Sequence, residues 1–219
     1  MPARAADAPR SPDLPEELPD TPSDDPGAWS GAAVAGARLP GFAASGLSIL
    51  GARLTRVELT GARLPDLRVV DAELSACDLA GVQARGAALV RCELRDCRLT
   101  GSAWSEARLT DVLVRDCRVD LAAFAAATLE RVTFERCRMT QCDLQAVACD
   151  SVRLLACDLG ECDLSGARFR RSELRRCELR DVRAVERLRG AAVAFEDLLE
   201  LAPALAAALG IGVLDAVGD

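Results

Sequence analysis

The chain has 219 residues, half of them hydrophobic but only 3% aromatic, so it can bury one ordinary core but lacks the rings of a usual globular interior. It contains no His, all 27 basic residues are Arg, and the net charge of −7 divides into −5 over residues 1–30, +2 over 31–184 and −4 over 185–219. Absence of His excludes Ser–His nucleophile pairs and mixed Cys/His zinc sites, and the near-neutral middle excludes a strongly basic surface for direct nucleic-acid binding.

Residues 1–28 read as a disordered tail, since seven of the ten prolines fall within the first 26 residues and acids outnumber Arg. No stretch resembles a signal peptide or a membrane-spanning helix, so the expected home is the cytoplasm, without membrane attachment and with the ten thiols reduced.

Over 29–185 the dominant signal is a period of five. Every fifth residue from Val34 to Ala184 is apolar, 31 in succession without a slip, including Leu54, Leu74, Leu94, Leu99, Trp104 and Phe134. Two places before each centre lies a second apolar column of mostly small residues, such as Ala52, Ala62, Cys97 and Ala107. Five residues advance an α-helix by about 500°, so the centres would circle its axis and never share a face. In an extended segment residues two apart do share a face, and the remaining positions can turn a corner. Gly41, Gly61, Gly81 and Gly101 are twenty residues apart, which predicts four sides per coil with one corner favouring Gly.

Nine of the ten cysteines occupy the small inward column. Cys77, Cys97, Cys117, Cys137, Cys157 and Cys177 recur at twenty and should stack once per coil. Stacked parallel strands hold Cβ atoms about 4.8 Å apart, beyond the roughly 3.8 Å that a disulfide prefers. These thiols are therefore expected to be core filler, with no metal and no cofactor.

Residues 186–219 read as a helical cap and an element able to dimerise. Phe195, Leu198, Leu199, Ala202, Leu205 and Leu209 can form an apolar stripe, Pro203 should split the segment into two helices, and Gly210 offers a stop. Ile211, Val213 and Leu214 are candidates for a final strand.

Units such as "ARLTR VELTG ARLPD" and "CDLGE CDLSG ARFRR" resemble the A(D/N)LXX consensus of the pentapeptide-repeat family. The resemblance implies an all-β solenoid, a right-handed quadrilateral β-helix of about eight coils. Some members of that family protect DNA gyrase and topoisomerase IV from quinolones or peptide toxins as acidic rods that imitate B-form DNA.

Nothing in the chain points to catalysis. Carboxylate pairs such as Asp158 and Asp163 are what a stacked repeat places on its surface, and no Gly-rich loop opens a helix. Sorting outward residues by side leaves no strongly single-signed face. On the third side Ala103, Ser105, Ala123 and Ala125 form a flat, weakly charged stretch, and on the fourth Leu50, Val70 and Val90 form an aliphatic ladder for the tail or a partner to cover. The leading expectation is a non-catalytic scaffold for an unidentified protein partner, with a homodimer allowed. The alternative is a DNA mimic acting on DNA gyrase or topoisomerase IV.

Overall fold

The computed structural model describes residues 6–21 and 24–212. Eleven strands follow in chain order: β1 (Ala33–Ala35), β2 (Ser48–Thr55), β3 (Arg68–Ser75), β4 (Ala88–Arg95), β5 (Arg108–Arg115), β6 (Thr128–Glu135), β7 (Ala148–Asp150), β8 (Arg153–Leu155), β9 (Arg168–Arg170), β10 (Ser172–Arg175) and β11 (Ala191–Val193). Among the described residues one α-helix, α1 (Phe195–Ala208), follows β11. All strand pairs are parallel and, except for β10 with β11, register at twenty residues, as in Ile49↔Val69, Val69↔Leu89 and Leu94↔Val114. Single bridges at the same interval, such as Glu58↔Asp78 and Arg63↔Gln83, build the second and third sides. The result is the expected all-β solenoid of about eight coils.

The core is the two inward columns. Leu54, Leu74, Leu94, Leu99, Trp104 and Phe134 are all buried, and Ala52, Ala62, Ala72 and Ala87 have no exposure at all. Small and large residues alternate because each side contributes one of each to a narrow interior, which leaves little room for rings. Phe124 and Phe134 meet edge to face at 6.2 Å. Trp104 donates its indole Nε1–H to Ser102 Oγ at 2.8 Å, and Ser102 in turn donates to the Leu99 carbonyl at 2.6 Å. That pair explains why a hydroxyl stands in an otherwise apolar column: without it a buried indole N–H would be unpaired.

The corners differ from the sequence reading. Every fifth residue from Gly31 to Asp181 has positive φ, so each corner is left-handed, and most carry side chains such as Arg56, Asp71, Leu121 and Gln141. Glycine is one solution to this geometry and not its marker, because ladder hydrogen bonds on both sides hold the corner in place. Asp residues just before a centre reinforce the turns: Asp78, Asp143, Asp158 and Asp163 each accept from the backbone N–H two residues on, at 2.9 to 3.0 Å.

Both ends are closed. At the first coil Trp29 is wholly buried behind a short 3-10 turn, Pro26–Ala28, that Asp25 caps through the Gly27 N–H at 2.9 Å. At the last coil a second 3-10 turn, Val185–Leu188, shortens the register to nineteen residues, so that Ser172 pairs with Ala191. Gly190 permits this step: its φ is +96°, and a Cβ there would stand 2.4 Å from the Phe169 carbonyl oxygen.

The cap corrects three expectations. α1 runs unbroken through Pro203, because the carbonyl that loses its partner belongs to solvent-exposed Leu199. The helix stands on the solenoid through buried Asp197 and Leu201 and half-buried Leu205, while Phe195 and Leu199 point outward and exposed Leu198 and Leu209 border the space beside the last coil. Asp197 Oδ2 accepts the Cys177 N–H at 3.0 Å and Glu200 Oε2 accepts the Leu179 N–H at 3.1 Å, so two carboxylates one turn apart stand in for the next coil. Gly210 does end the helix: it has φ +71°, and Ile211 donates back to the Ala206 carbonyl at 2.8 Å and so joins no strand. Val213 and Leu214 lie outside the described residues.

The N-terminal tail makes defined contacts as well. In its described part it lies against the fourth side and does not hang free. Arg10 N–H donates to Asp111 Oδ1 at 3.2 Å, Asp13 N–H donates to Asp71 Oδ1 at 3.0 Å, and Pro19 and Thr21 pair with Ala33. Two fixed carboxylates supply a partner that the tail's composition does not reveal.

Candidate interaction surfaces

The outward side chains form a lattice of ion pairs running from coil to coil. Arg91 grips Asp71 with two bonds of 2.6 Å, and Arg131 grips Asp111 with bonds of 2.7 and 2.9 Å. Arg136–Asp116, Arg53–Glu73, Arg115–Glu135 and Arg153–Glu173 repeat the pattern at 2.7 to 2.9 Å. Each joins residues twenty apart, so stacking places a guanidinium over the carboxylate of the neighbouring coil. The Arg91 guanidinium holds the Asp71 carboxyl below its ordinary range, as Arg131 does for Asp111 and Arg136 for Asp116. The side chains thus cancel one another locally, and no continuous acidic stripe forms.

The residues expected as an interaction surface fall into two groups on different sides. Ala103 and Ala123 bridge directly on the third side and, with Ser105 and Ala125, are half-buried. Leu50, Val70 and Val90 are in register on the fourth. Leu50 is 46% exposed, whereas Val70 and Val90, in the coils flanked by the tail's anchors, are half-buried.

Two further features mark the surface, and the first extends the Asp158 and Asp163 pair. Asp143, Asp158, Glu161 and Asp163 gather on the second and third sides of the late coils, between Arg138 in one column and Arg183, which pairs with Asp163 at 3.3 Å, in the other. Between α1 and the last coil lies an apolar groove of about 450 Å³ lined by Val185, Leu188, Val193, Leu198, Leu205 and Leu209. The period of five could have located the acids, but the groove depends on which face α1 turns inward.

The cysteines form the expected ladder. All ten are buried and free, and stacked Cys97 and Cys117 touch through the Cys97 N–H and Cys117 Sγ at 3.3 Å. Thiols lie near backbone carbonyls, as Cys142 does to Val119 at 3.1 Å and Cys162 to Met139 at 2.9 Å. Burial pushes Cys92 and Cys149 up to about 12 and Cys177 up to about 11, which leaves them protonated and unreactive at neutral pH. Among the described residues no group of side chains is arranged to hold a metal ion, and no helix is long and apolar enough to cross a membrane.

Comparison with known proteins agrees with this architecture. The family model "Pentapeptide repeat region" matches residues 67–139 and 87–160, and "Pentapeptide repeats (8 copies)" matches 149–184. Among solved structures, a pentapeptide repeat protein (Rfr23) from the cyanobacterium Cyanothece 51142 is 14% identical, with 47% of this chain and 86% of that one covered and a TM-score of 0.39. A trypsin-treated variant of QnrB1, a plasmid-mediated fluoroquinolone resistance protein, is 18% identical over 84% of this chain and 100% of its own, with a TM-score of 0.37. HetL, a pentapeptide repeat protein involved in heterocyst differentiation regulation from the cyanobacterium Nostoc sp. strain PCC 7120, is 17% identical over 72% and 87%, with a TM-score of 0.19. No curated protein matches the chain.

Proposed function

Since the chain belongs to the pentapeptide-repeat family, we propose that it acts without catalysis, as a rigid scaffold that presents one side of its solenoid to a protein partner. The observation that carries this reading is the coil-to-coil ion-pair lattice. A groove built for the phosphates of duplex DNA responds to rows of unpaired negative charge. Here Asp71, Asp111 and Asp116 each already face a guanidinium within 2.7 Å. The third side, with Ala103, Ser105, Ala123 and Ala125, is the flat face of this scaffold.

The same reading pairs two copies through α1. Phe195, Leu198, Leu199 and Leu209 are 72%, 40%, 62% and 73% exposed, and with Ala202 and Ala206 they make one stripe at helical spacing. Sedimentation should report a dimer that Leu199→Glu dissociates. A monomer at micromolar concentration removes this part of the reading.

A second reading, DNA mimicry on DNA gyrase or topoisomerase IV, is favoured by one feature, the Asp143, Asp158, Glu161 and Asp163 patch. Gyrase supercoiling with increasing amounts of the protein, with and without a fluoroquinolone, separates the two. No effect at large excess is expected for the scaffold. Inhibition, or rescue from the drug at stoichiometric protein, would put mimicry first.

A further inference from the structure

The tail is keyed to the solenoid by arithmetic. Pro9, Pro12 and Pro15 recur every three residues. A proline-rich segment in the polyproline-II conformation rises about 3.1 Å per residue, so three residues span about 9 Å. Two coils at about 4.8 Å each span nearly the same distance. A residue that follows each proline therefore meets every second coil at the same place.

The contacts follow that rule. Arg10, after Pro9, reaches Asp111, and Asp13, after Pro12, reaches Asp71, each through its backbone N–H. Asp71 and Asp111 occupy one corner column and are forty residues, hence two coils, apart. Arg91 and Arg131 in the same column hold each carboxylate in place from the neighbouring coil. Pro9, Pro12 and Leu14 are half-buried, while Arg10, Ser11 and Asp13 are exposed, so the segment turns an apolar edge toward the solenoid. The series stops where it must: the next positions in the column are Gly51 and Gly31, which carry no acceptor, and the chain turns away to pair at Ala33.

We propose that the fourth side is a docking face for a polyproline-II segment, keyed by Asp71 and Asp111 on alternate coils and occupied in cis by the chain's own residues 9–15. A partner that uses the Asp71 and Asp111 column has to displace this strap first. The strap needs no particular partner, so it stands or falls independently of the scaffold reading.

The test uses the full chain, and its first variant leaves the solenoid untouched. One Gly inserted between Ser11 and Pro12 breaks the match of three residues to two coils. Asp71→Ala/Asp111→Ala removes the acceptors instead. Trypsin should cut after Arg10 in the wild-type protein about tenfold or more slowly than in a free peptide of residues 6–18. In both variants the rate should rise to near that of the peptide, while the insertion leaves the thermal midpoint of the solenoid unchanged. A fluorescent peptide of residues 6–18 should bind the insertion variant in trans at least about tenfold more tightly than it binds the wild type. Wild-type cleavage at the peptide rate, undiminished protection in the insertion variant, or no peptide binding at millimolar concentration would each overturn the proposal.

Discussion

Replacing Asp197 by Ala should open the C-terminal end of the solenoid. Asp197 is 5% exposed, and its Oδ2 is the acceptor for the Cys177 N–H at 3.0 Å. Truncation leaves that buried amide without a partner, at a cost of about 1–3 kcal/mol. It also removes a negative charge from the first turn of α1, worth about 0.3–1 kcal/mol. The expected loss is therefore about 2–3 kcal/mol, read from equilibrium urea unfolding. Glu200→Ala is the control, because exposed Glu200 makes the equivalent bond to Leu179 where water can replace it, and it should cost about 1 kcal/mol or less. Asp197→Asn keeps an acceptor and should recover most of the loss. Repeat architectures respond locally, so amide exchange should quicken first at Cys177 and Leu179 and only weakly near Leu94. Equal effects of Asp197→Ala and Glu200→Ala, or exchange that rises uniformly along the rod, would refute the view that these carboxylates replace a missing coil.

Gly190→Ala should be more damaging still, since it places a Cβ 2.4 Å from the Phe169 carbonyl at a φ of +96°; loss of the cooperative end transition in thermal melts would show it, and a wild-type melt would contradict it. The thiols should ignore a disulfide reagent such as DTNB in native protein and all react once it is unfolded, because all ten are buried; rapid reaction of any one in the native state contradicts the ladder. Acid should act late. The carboxyls of Asp71, Asp111 and Asp116 are held below the ordinary aspartate value of 3.8, so their contribution is complete above that value and fades as pH falls through the lower folded ones. The thermal midpoint should stay level from neutrality to about pH 4 and drop below it; a decline between about pH 6 and 5 would contradict the pairing.

The core was legible because a five-residue period in a narrow interior tolerates no slip: moving Leu94 by one place would put Arg95 inside. The corners were not legible, because the ladder on either side imposes the left-handed turn on Arg56 or Leu121 as firmly as on Gly61. The orientation of α1 is not legible for a related reason. An apolar stripe marks the buried face when the surface beneath is apolar, but the end of a β-helix is an edge of N–H donors. It therefore takes Asp197 and Glu200 and leaves Phe195 and Leu199 outside. The tail failed differently. Its composition predicts disorder, and only the spacing of Pro9, Pro12 and Pro15 against two aspartates about sixty and a hundred residues away reveals a partner.

The neutral lattice also bears on how a partner would be recognised. An Arg–carboxylate pair at 2.7 Å presents a dipole whose field fades well within the Debye length of about 8 Å, so the rod as a whole steers nothing. Sign is left only where the stacking rule is broken. On the second side the bridged column reads Arg38, Glu58, Asp78, Arg98, Arg118, Arg138, Asp158, Glu178, so a run of three cations lies between two pairs of anions. A partner with an acidic run between two basic stretches matches that column in one register, and a shift by two or three coils sets like charge against like. In a repeat whose coils are otherwise so similar, this ordering is what can fix a partner's position along the rod.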